Sequence, residues 1–338
     1  MFDGKTVLIT GGTGSLGHAL TKRLLESKVK QIRIFSRNEL KQIEMESKFR
    51  DNRLRFLIGD IRDLPRLLRA MEGVDIVFHA AALKHVPKVE YNPFESIKTN
   101  VQGSQNVIDA CISSNVERAI CVSTDKAVSP LNTYGATKLL MEKLFVTAQR
   151  YSNPEKHRTK FFAVRYGNVF GSSGSVIPRF IELIKNGKKI TMTDPNMTRF
   201  NITMSDALDF ILKATKEGQG SEIFVPKLKS YILSDIKKVL VEILGDTGEE
   251  VIGIRPGEKL HEMLINQDDI LNTYEHKDMY LILDPQYDID NRITKYEDIK
   301  KIESKEKYSS DTAQKLTFDE IKKLIQDSKL LWRLSQSR

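Results

Sequence analysis

The chain has 338 residues, of which 40% are hydrophobic and 29% charged, as in an ordinary soluble globular protein with one large domain or two smaller ones. Its net charge of +8 comes from basic residues scattered among acids, so we expect no nucleic-acid partner, although some of these residues can serve a phosphorylated small molecule. Two cysteines cannot build a disulfide framework, and without a secretory leader or an apolar run of roughly 18 residues we expect a cytoplasmic protein with no membrane segment.

The chain begins with a strand pattern, a glycine-rich turn and a helix pattern. Lys5–Thr10 is short and apolar, Gly11–Gly17 follows, and an amphipathic run continues from Ala19 to Leu25. Glycines in this position let the backbone pass close to a pyrophosphate, which the N–H groups and the dipole of the helix N-terminus attract. The placement favours a dinucleotide site over an ordinary turn, with cofactor contacts expected at Gly11, Thr13, Gly14, Ser15, Leu16 and Gly17.

The loop after the second strand, Gln31–Phe35, indicates which dinucleotide binds. An NAD enzyme usually carries an acidic residue there to hold the ribose hydroxyls. This chain instead has Ser36, Arg37 and Asn38, with Lys41 following. Arg37 and Ser36 can bind a 2′-phosphate that an acid would repel, so we expect NADP. The alternative is that Arg37 is a solvated loop charge.

The third and fourth strands end in residues placed for other parts of the cofactor. Leu54–Ile58 leads into Asp60 and Ile61, where the carboxylate can reach an adenine amino group, and Asp63 can cap the next helix. Asp75–Phe78 leads into three alanines that allow the backbone to lie against a flat ring. Ligands bind at this end of the strands in open α/β folds, so we also expect contacts at Ala80, Ala81 and Lys84.

Strand patterns continue to alternate with helical patterns. A helical run from Pro93 to Asn115 precedes a fifth strand, Arg118–Val122, and a long helix separates this strand from a sixth, Lys160–Val164. Strands separated by helices at this spacing build parallel βαβ units with right-handed crossovers. We therefore predict an α/β fold with a doubly wound parallel sheet of the Rossmann type and a smaller C-terminal substrate-binding lobe.

The fifth strand delivers a polar run, Ser123–Lys126, to the same edge of the sheet. The next helix opens with Tyr134, and Lys138 shares its helix face because it lies four residues later. Tyrosine, with a reference pKa near ~10, is a poor base, but a nearby ammonium and a positively charged oxidised nicotinamide lower that pKa. We expect Tyr134 to take a proton from a sugar hydroxyl as hydride leaves the same carbon.

From Arg165 onward the pattern loosens, which predicts a smaller lobe that closes over the cleft. Its elements are expected as helices at 177–185, 205–214 and 234–244 and strands at 222–225 and 250–254. Candidates for holding a diphosphate or a sugar are Asn168, Arg199 and Arg255, and Glu258 can receive ribose hydroxyls. We expect a cofactor-binding domain with the catalytic residues over 1–168 and a substrate-binding lobe over 169–284, with some segments returning to the body.

Beyond Pro285 the sequence becomes strongly polar, and residues 285–338 are treated as a tail. Thr317–Glu320 reads as a capping box that opens an amphipathic helix carrying Ile321 and Ile325. We expect a loosely held tail whose helix packs on the body or on a neighbouring subunit.

These motifs resemble the extended short-chain dehydrogenase/reductases, through Thr10–Gly17 and the pair of Tyr134 and Lys138. More closely, the chain resembles the nucleotide-sugar 4,6-dehydratases of the inverting type, which act on UDP-N-acetylglucosamine. The stretches that carry this resemblance are Phe35–Asn38, His79–Lys84, Ser123–Lys126, Arg165–Val169, Gly174–Pro178, Met197–Phe200 and Ile254–Lys259. The tail carries none of it.

The resemblance implies a reaction that recycles its cofactor within one turnover. C-4 is oxidised by NADP⁺, water is lost across C-5 and C-6, and hydride returns to C-6. Tyr134 would deprotonate O-4, Asp125 would protonate the leaving C-6 hydroxyl, and Thr124 would hydrogen-bond the sugar. Lys126 stands where retaining relatives have an acidic C-5 base, and it can be a base only if its pKa lies well below ~10.4.

Reprotonation from the opposite face would invert C-5 and give UDP-2-acetamido-2,6-dideoxy-β-L-arabino-hexos-4-ulose. The proton can come from Asp125, Lys126 or a water. The resemblance further implies a homo-oligomer, cofactor contacts from Tyr134 and Lys138, and a UDP-sugar held by Lys84, Asn168, Val169, Val176, Arg199, Arg255 and Glu258.

Other functions are less favoured. The sequence has no metal-ligand spacing, and His261 and Glu262 lack partners for a zinc site. A nucleotide-sugar 4-epimerase of the same superfamily needs no acid to expel a C-6 hydroxyl, so Asp125 and Lys126 argue against it. A non-catalytic NADP-binding regulator is expected to lack Tyr134 or Lys138, and both are present.

Overall fold

The computed structural model describes residues 1–172, 174–303, 306–328 and 330–333. The strands are β1 (Thr6–Thr10), β2 (Gln31–Ser36), β3 (Leu54–Ile58), β4 (Ile76–His79), β5 (Arg118–Val122), β6 (Lys160–Val164), β7 (Asn168–Val169), β8 (Ile190–Met192), β9 (Thr198–Ile202), β10 (Glu222–Pro226), β11 (Ser230–Ile232), β12 (Glu249–Val251), β13 (Met263–Ile265), β14 (Thr273–His276), β15 (Met279–Leu283), β16 (Lys300–Lys301) and β17 (Tyr308–Ser309). The helices are α1 (Ser15–Leu25), α2 (Glu39–Phe49), α3 (Leu64–Met71), α4 (Val86–Tyr91), α5 (Pro93–Ser96), α6 (Gly103–Ser113), α7 (Thr133–Tyr151), α8 (Val176–Lys185), α9 (Met204–Glu217), α10 (Leu233–Leu244), α11 (Gln267–Ile270), α12 (Ile289–Ile293), α13 (Phe318–Asp327) and α14 (Leu330–Arg333).

The main sheet confirms the predicted doubly wound fold. In the described residues its order is β16-β14-β15-β10-β6-β5-β4-β1-β2-β3. The strands from β3 across to β10 run parallel, and β15, β14 and β16 extend the sheet in antiparallel pairing. The order in which successive strands are added to the sheet reverses between β1 and β4, and ligands of such sheets bind in the crevice at this point.

Both faces of this sheet are covered, which explains why its strands read as continuous apolar runs. Val7 and Ile9 of β1 pack into one core together with Leu20 and Leu24 of α1. Leu8, which points the other way, packs into a second core with residues of α3, α6 and α7. The two cores hold the parallel strands in register, so their carboxyl ends meet at one edge.

The predicted helical run from Pro93 to Asn115 is interrupted. Ile97–Gln102 forms a π-helical turn between α5 and α6, and the run ends at Ser113. The turn brings Asn100 to the loop after β4, where its side chain accepts from Leu83 N at 2.8 Å and donates to Leu83 O at 3.0 Å. A π-turn of this kind marks functional sites in many helices, and here it fixes a loop that the cofactor was predicted to touch.

A smaller lobe stands beside the carboxyl edge of the sheet. Its core is formed by apolar residues of α8, α10 and α13, such as Phe180, Ile236 and Ile321. A sheet of order β11-β9-β7 and the pair β12-β8 complete it. The strand expected at 250–254 ends at Val251, before Gly253 with its positive φ of 83°. The domain boundaries at 168 and 284 stay predictions.

The tail is attached at three places, so the expectation of loose attachment is wrong. β16 pairs with β14 of the main sheet, and β17 pairs with β13. α13 begins with the predicted capping box and buries Ile321 and Ile325 in the lobe core. Few apolar residues are needed for these contacts, which is why the polar composition was misleading. Among the described residues, no helix combines the length and apolarity required to cross a membrane.

Candidate active site

A cleft of about 1220 Å³ lies along the carboxyl edge of the sheet and reaches under the lobe. Nearly all the predicted site residues line it: Gly11, Thr13, Gly14, Ser15, Leu16, Gly17, Ser36, Arg37, Asn38, Lys41, Asp60, Ile61, Ala80, Ala81, Lys84, Thr124, Lys126, Tyr134, Lys138, Asn168, Val169, Val176, Arg199, Arg255 and Glu258. The exception is Asp125, which is fully buried behind Thr124 and Lys126. We call the part around Thr124, Lys126 and Tyr134 the sugar end.

The glycine-rich turn is shaped for a phosphate group. Gly11 has a positive φ of 67°, and a Cβ added there would lie 2.8 Å from Ala81 Cα. Gly14 is the N-cap of α1 and has no side chain to bond the free N–H groups of the first turn. These N–H groups and the helix dipole face the cleft, so the residues present fit the pyrophosphate of a dinucleotide.

Cations stand at the end of the cleft beyond β2. Arg37, whose side chain is 53% exposed, has Nη1 3.6 Å from Asp60 Oδ2, and Lys41 is also exposed. Asp60 is bound more closely by Arg62, with Nη2 2.7 Å from Oδ2. Burial would raise the pKa of Asp60, but the hydrogen bonds from Arg62 outweigh burial and lower that pKa. Asp60 therefore stays ionised and able to accept hydrogen bonds.

Tyr134 and Lys138 project from the first turns of α7. Asn132 caps this helix by accepting from Gly135 N at 2.8 Å. Lys138 Nζ donates to Val122 O at 2.6 Å, which ties the helix to the end of β5. Burial lowers the pKa of Lys138. The ammonium is thus held at a fixed place under the cleft, next to the tyrosine one turn away.

The protein's own groups do not by themselves lower the pKa of Tyr134. Burial raises the pKa of Tyr134 to about 12, although the charge of Lys126 and a hydrogen bond with Thr124 act in the opposite direction. The cation that acts on the phenol is Lys126 rather than Lys138. The sequence pattern could not reveal this, because Lys126 comes from the loop after β5 and Lys138 from the helix itself.

Lys126 and Asp125 form a contact pair at the sugar end. Lys126 Nζ donates to Asp125 Oδ1 and to Asn168 Oδ1, both at 3.0 Å. Thr124 Oγ1 donates to the same Asp125 oxygen at 2.8 Å. Asp125 Oδ2 is buried and has no hydrogen-bond partner among the described residues. The Asp125 carboxylate therefore accepts two hydrogen bonds on Oδ1 and none from the described residues on Oδ2.

Lys126 can be a base only if its pKa lies well below ~10.4, and the protein alone does not lower the pKa in this way. Burial by itself would lower the pKa of Lys126, but the charges of Asp125 and Glu262 outweigh burial and raise that pKa. Arg199 and Lys259 also approach Glu262, and the pKa of Lys126 stays raised with these cations present. Lys126 is an ammonium at neutral pH.

Sequence reasoning missed two charged residues of the site. Lys259 and Glu262 line the cleft from the loop that follows Arg255. Glu262 Oε1 lies 3.8 Å from Lys126 Nζ and 3.9 Å from Arg199 Nε. The signal was available only in part: Glu262 was considered for zinc, and no pattern shows that β13 begins beneath the sugar end.

Comparisons with known proteins show which family the chain belongs to. The family described as polysaccharide biosynthesis protein matches residues 7–284. A protein of Campylobacter jejuni named UDP-N-acetylglucosamine 4,6-dehydratase (inverting) is 51% identical over 284 residues, which are 83% of this chain and 84% of that protein. A protein of Rickettsia massiliae named UDP-glucose 4-epimerase is 43% identical and covers 96% of both chains.

Among solved structures, Pen from Bacillus thuringiensis superposes with a TM-score of 0.89 at 41% identity, covering 98% of this chain and 99% of that chain. The likeness therefore extends through the tail, which the family match does not reach. The chain is accordingly a member of the polysaccharide biosynthesis protein family, among the nucleotide-sugar dehydratases and epimerases of the extended short-chain dehydrogenase/reductase type.

Proposed function

We propose that the protein is a lyase: an NADP-dependent UDP-N-acetylglucosamine 4,6-dehydratase that inverts C-5 and releases UDP-2-acetamido-2,6-dideoxy-β-L-arabino-hexos-4-ulose. The observation that carries the proposal is the 3.0 Å contact of Lys126 Nζ with Asp125 Oδ1 beside Tyr134. Loss of water needs a base for the C-5 proton and an acid for the C-6 hydroxyl, and this pair can supply both.

The cofactor we propose is NADP. Arg37 and Lys41 are the cations that would hold a 2′-phosphate, with Ser36 and Asn38 at the same loop. When bound, the cofactor would accept a hydride from C-4 as NADP⁺ and, once reduced, would supply the hydride that C-6 receives. Titration of the protein with NADP⁺ and NAD⁺ tests this choice. We expect tighter NADP⁺ binding that Arg37→Ala weakens, whereas equal or tighter NAD⁺ binding would overturn the preference.

In the first step Tyr134 takes the proton of O-4. A phenol with a pKa of about 12 is a weak acceptor at neutral pH, and a phenolate is stabilised only by nearby positive charge. Lys126 supplies part of that charge in the protein, and a hydrogen bond between Thr124 and the phenol acts in the same direction. The hydrogen bond from Lys138 to Val122 O holds the first turns of α7, and with them Tyr134, at the end of β5.

In the elimination, a proton shift within the Lys126–Asp125 pair prepares both catalysts. Movement of one proton from Lys126 Nζ to Asp125 Oδ1 across 3.0 Å gives a neutral amine and a carboxylic acid. The amine then removes the C-5 proton, and the acid protonates the C-6 hydroxyl, which leaves as water. The ion pair is regenerated. Substrate in the cleft excludes water, and the loss of solvation favours the neutral pair.

The nucleotide and the sugar would be held from the lobe side. Arg199 Nη1 donates to Thr198 O and Leu260 O, at 2.8 and 3.0 Å, so its guanidinium is fixed with one edge toward the cleft. Such a rigid guanidinium suits a diphosphate. The other substrate contacts we propose are Lys84, Asn168, Val169, Val176, Arg255 and Glu258.

The second candidate is a nucleotide-sugar 4-epimerase, because relatives of that name match nearly the whole chain. An epimerase moves hydride from and to C-4 and leaves the C-6 hydroxyl in place. A 4-epimerisation eliminates no water, so it needs neither the buried acid Asp125 nor Lys126 as a proton donor or base. We therefore place the dehydratase first.

Proton NMR of UDP-N-acetylglucosamine incubated with the enzyme and NADP⁺ separates the two candidates. The dehydratase predicts that the C-6 hydroxymethyl signals disappear and a methyl doublet of a 4-keto sugar grows. Lys126→Ala should abolish the methyl signal while NADP⁺ binding stays near that of the wild type. A C-4 epimer with its C-6 oxygen intact would refute the dehydratase, and substantial methyl product from the variant would remove Lys126 from its role.

We also propose a cytoplasmic homo-oligomer. Tyr91, Phe94 and Leu140 are large apolar side chains that lie exposed on the neighbouring helices α4, α5 and α7. Exposed apolar side chains grouped in this way are typical of a surface that a partner covers. No nucleic acid and no membrane is part of the proposal.

A further inference from the structure

Glu262 is a buried acid that the proposed reaction does not use. Its side chain is about 5% exposed, at the base of the sugar end. Lys126 Nζ lies 3.8 Å from Oε1, and Lys259 Nζ lies 4.0 Å from Oε2. Oε2 has no hydrogen-bond partner among the described residues. Burying a carboxylate in such surroundings lowers the free energy of unfolding unless nearby cations pair with its charge.

The tail holds Glu262 in place. Glu262 N donates to Ser310 Oγ at 2.9 Å, and Ser310 N donates to Glu262 O at 2.8 Å. Ser310 Oγ also donates to Thr198 O at 3.1 Å, next to Arg199. The backbone that carries Glu262 is thus tied to the tail, and the same serine ties the tail to β9, so two segments distant in sequence position this residue.

We propose that Glu262 is a positioning residue for Lys126: from the lobe side it holds the ammonium at the sugar end and retains its proton until substrate fills the cleft. The inference rests on the proposed function only for the task of Lys126. Asp125 faces Lys126 from the same loop and binds it directly, and Asn168 accepts its second hydrogen bond. Glu262 is the second carboxylate near this ammonium in the part of the chain described.

The other charged and titratable groups around the pair do not replace Glu262. Tyr134 and Tyr231 face Lys126 as neutral phenols, because burial raises the pKa of each to about 12. Arg199 and Lys259 are cations and share the same carboxylate. Removing the charge of Glu262 therefore leaves three cations with Asp125 and the more distant Glu258, and Lys126 should release its proton more readily.

Competitive labelling of amines with isotope-coded acetic anhydride tests this without substrate. The extent of labelling at Lys126, read by peptide mass spectrometry over a range of pH, gives its apparent pKa in the wild type and in Glu262→Gln. We expect the apparent pKa of Lys126 to fall by at least one unit in Glu262→Gln and by less in Glu262→Asp. The exposed Lys188 in the same digests serves as the internal reference.

Glu222→Gln is the matched control, because Glu222 is a fully buried acid paired with Arg292 outside the cleft. The Glu222→Gln substitution should leave the titration of Lys126 unchanged. A general loosening of the fold would instead change this titration in Glu222→Gln as well. An unchanged Lys126 titration in both Glu262 variants would overturn the inference. Because no turnover is involved, this result is independent of whether UDP-N-acetylglucosamine is dehydrated. If UDP-N-acetylglucosamine is dehydrated, the limb of the pH–rate profile that belongs to Lys126 should move to lower pH in Glu262→Gln. The size of this move should be similar to the shift in apparent pKa measured by labelling.

Discussion

At the scale of single residues, the sugar end depends on charges that share partners. Lys126 is bound by Asp125 and approached by Glu262, and its charge in turn acts on the phenol of Tyr134. Groups coupled in this way titrate as a set. We therefore expect the effects of Asp125→Asn, Lys126→Ala and Glu262→Gln on activity to be strongly non-additive, because each substitution changes the ionisation of the others.

His79, at the end of β4, shows how fully a polar side chain beneath the cleft is satisfied. Ser104 Oγ donates to Asn100 O, so it accepts from His79 Nε2, 2.9 Å away. Nδ1 then accepts from Thr10 Oγ1, at 2.7 Å. This arrangement holds the neutral ring, and burial with the charge of Lys138 lowers the pKa of His79 to about 3. The histidine is structural, as the placement of its ring between two hydroxyls requires.

The pKa of His79 makes stability depend on pH. The folded-state pKa of about 3 lies below the unfolded value of about 6.5, so below pH 6.5 the unfolded chain binds a proton that the folded chain refuses. The contribution of His79 to the unfolding free energy is fully present above about pH 6.5 and is lost as the pH falls toward 3. From pH 7.5 to 5.5 this group should cost about 1 kcal/mol of unfolding free energy. Urea unfolding of the wild type and His79→Gln measures it; an equal pH dependence in both proteins would refute the assignment.

At the scale of elements, α7 is fixed to the sheet by a buried ion group. Arg165 Nε donates to Glu142 Oε2 at 3.1 Å, and its Nη1 donates to Asp269 Oδ2 at 2.9 Å and Leu264 O at 2.8 Å. Glu142 lies one turn after Lys138 on the helix that also carries Tyr134. The group therefore links α7, β6 and α11 behind the cleft.

Glu142→Ala should destabilise the protein by about 3–5 kcal/mol, because it leaves the Arg165 charge buried with half of its partners. Urea unfolding followed by circular dichroism measures the loss. Glu46→Ala, on the exposed face of α2, is the matched control and should change stability by less than about 0.5 kcal/mol. A loss below about 1 kcal/mol for Glu142→Ala would mean that the ion group does not anchor the helix.

The elements were predictable where local pattern decides them. The alternation of apolar strands with helices led to the parallel sheet, and the glycine turn, the cap at Asp63 and the capping box at Thr317 follow from local chemistry. The π-turn at Ile97–Gln102 was not predictable, because one extra residue in a helical turn leaves the apolar period nearly intact. The pKa directions of Tyr134 and Lys126 could not be predicted from the local pattern, because they depend on burial and on residues distant in sequence.

At the scale of the whole molecule, the tail joins the sheet, the lobe and the site. It adds an edge strand to the main sheet, pairs with β13 beside Glu262 and closes the lobe core with α13. Its polar composition hid these roles, since they rest on backbone pairing and on a few buried side chains. Long-range contacts of this kind leave little periodic signal in a sequence.

Ile321→Ala should lower the unfolding free energy by about 2–5 kcal/mol, because the side chain is fully buried in the lobe core. Denaturant unfolding measures the change. Lys323→Ala, on the exposed side of the same helix, should stay within about 0.5 kcal/mol of the wild type. An Ile321→Ala protein as stable as the wild type would show that α13 does not pack on the lobe in solution.

The central claim is that Lys126 and Asp125 turn an oxidised sugar into an elimination product with inverted C-5. Incubation with UDP-N-acetylglucosamine and NADP⁺ in deuterated water, followed by NMR of the early product, tests it most directly. The account predicts a 4-keto-6-deoxy sugar that carries deuterium at C-5 and has the L configuration. A product that retains the D configuration at C-5, or a C-4 epimer without solvent deuterium, would contradict it.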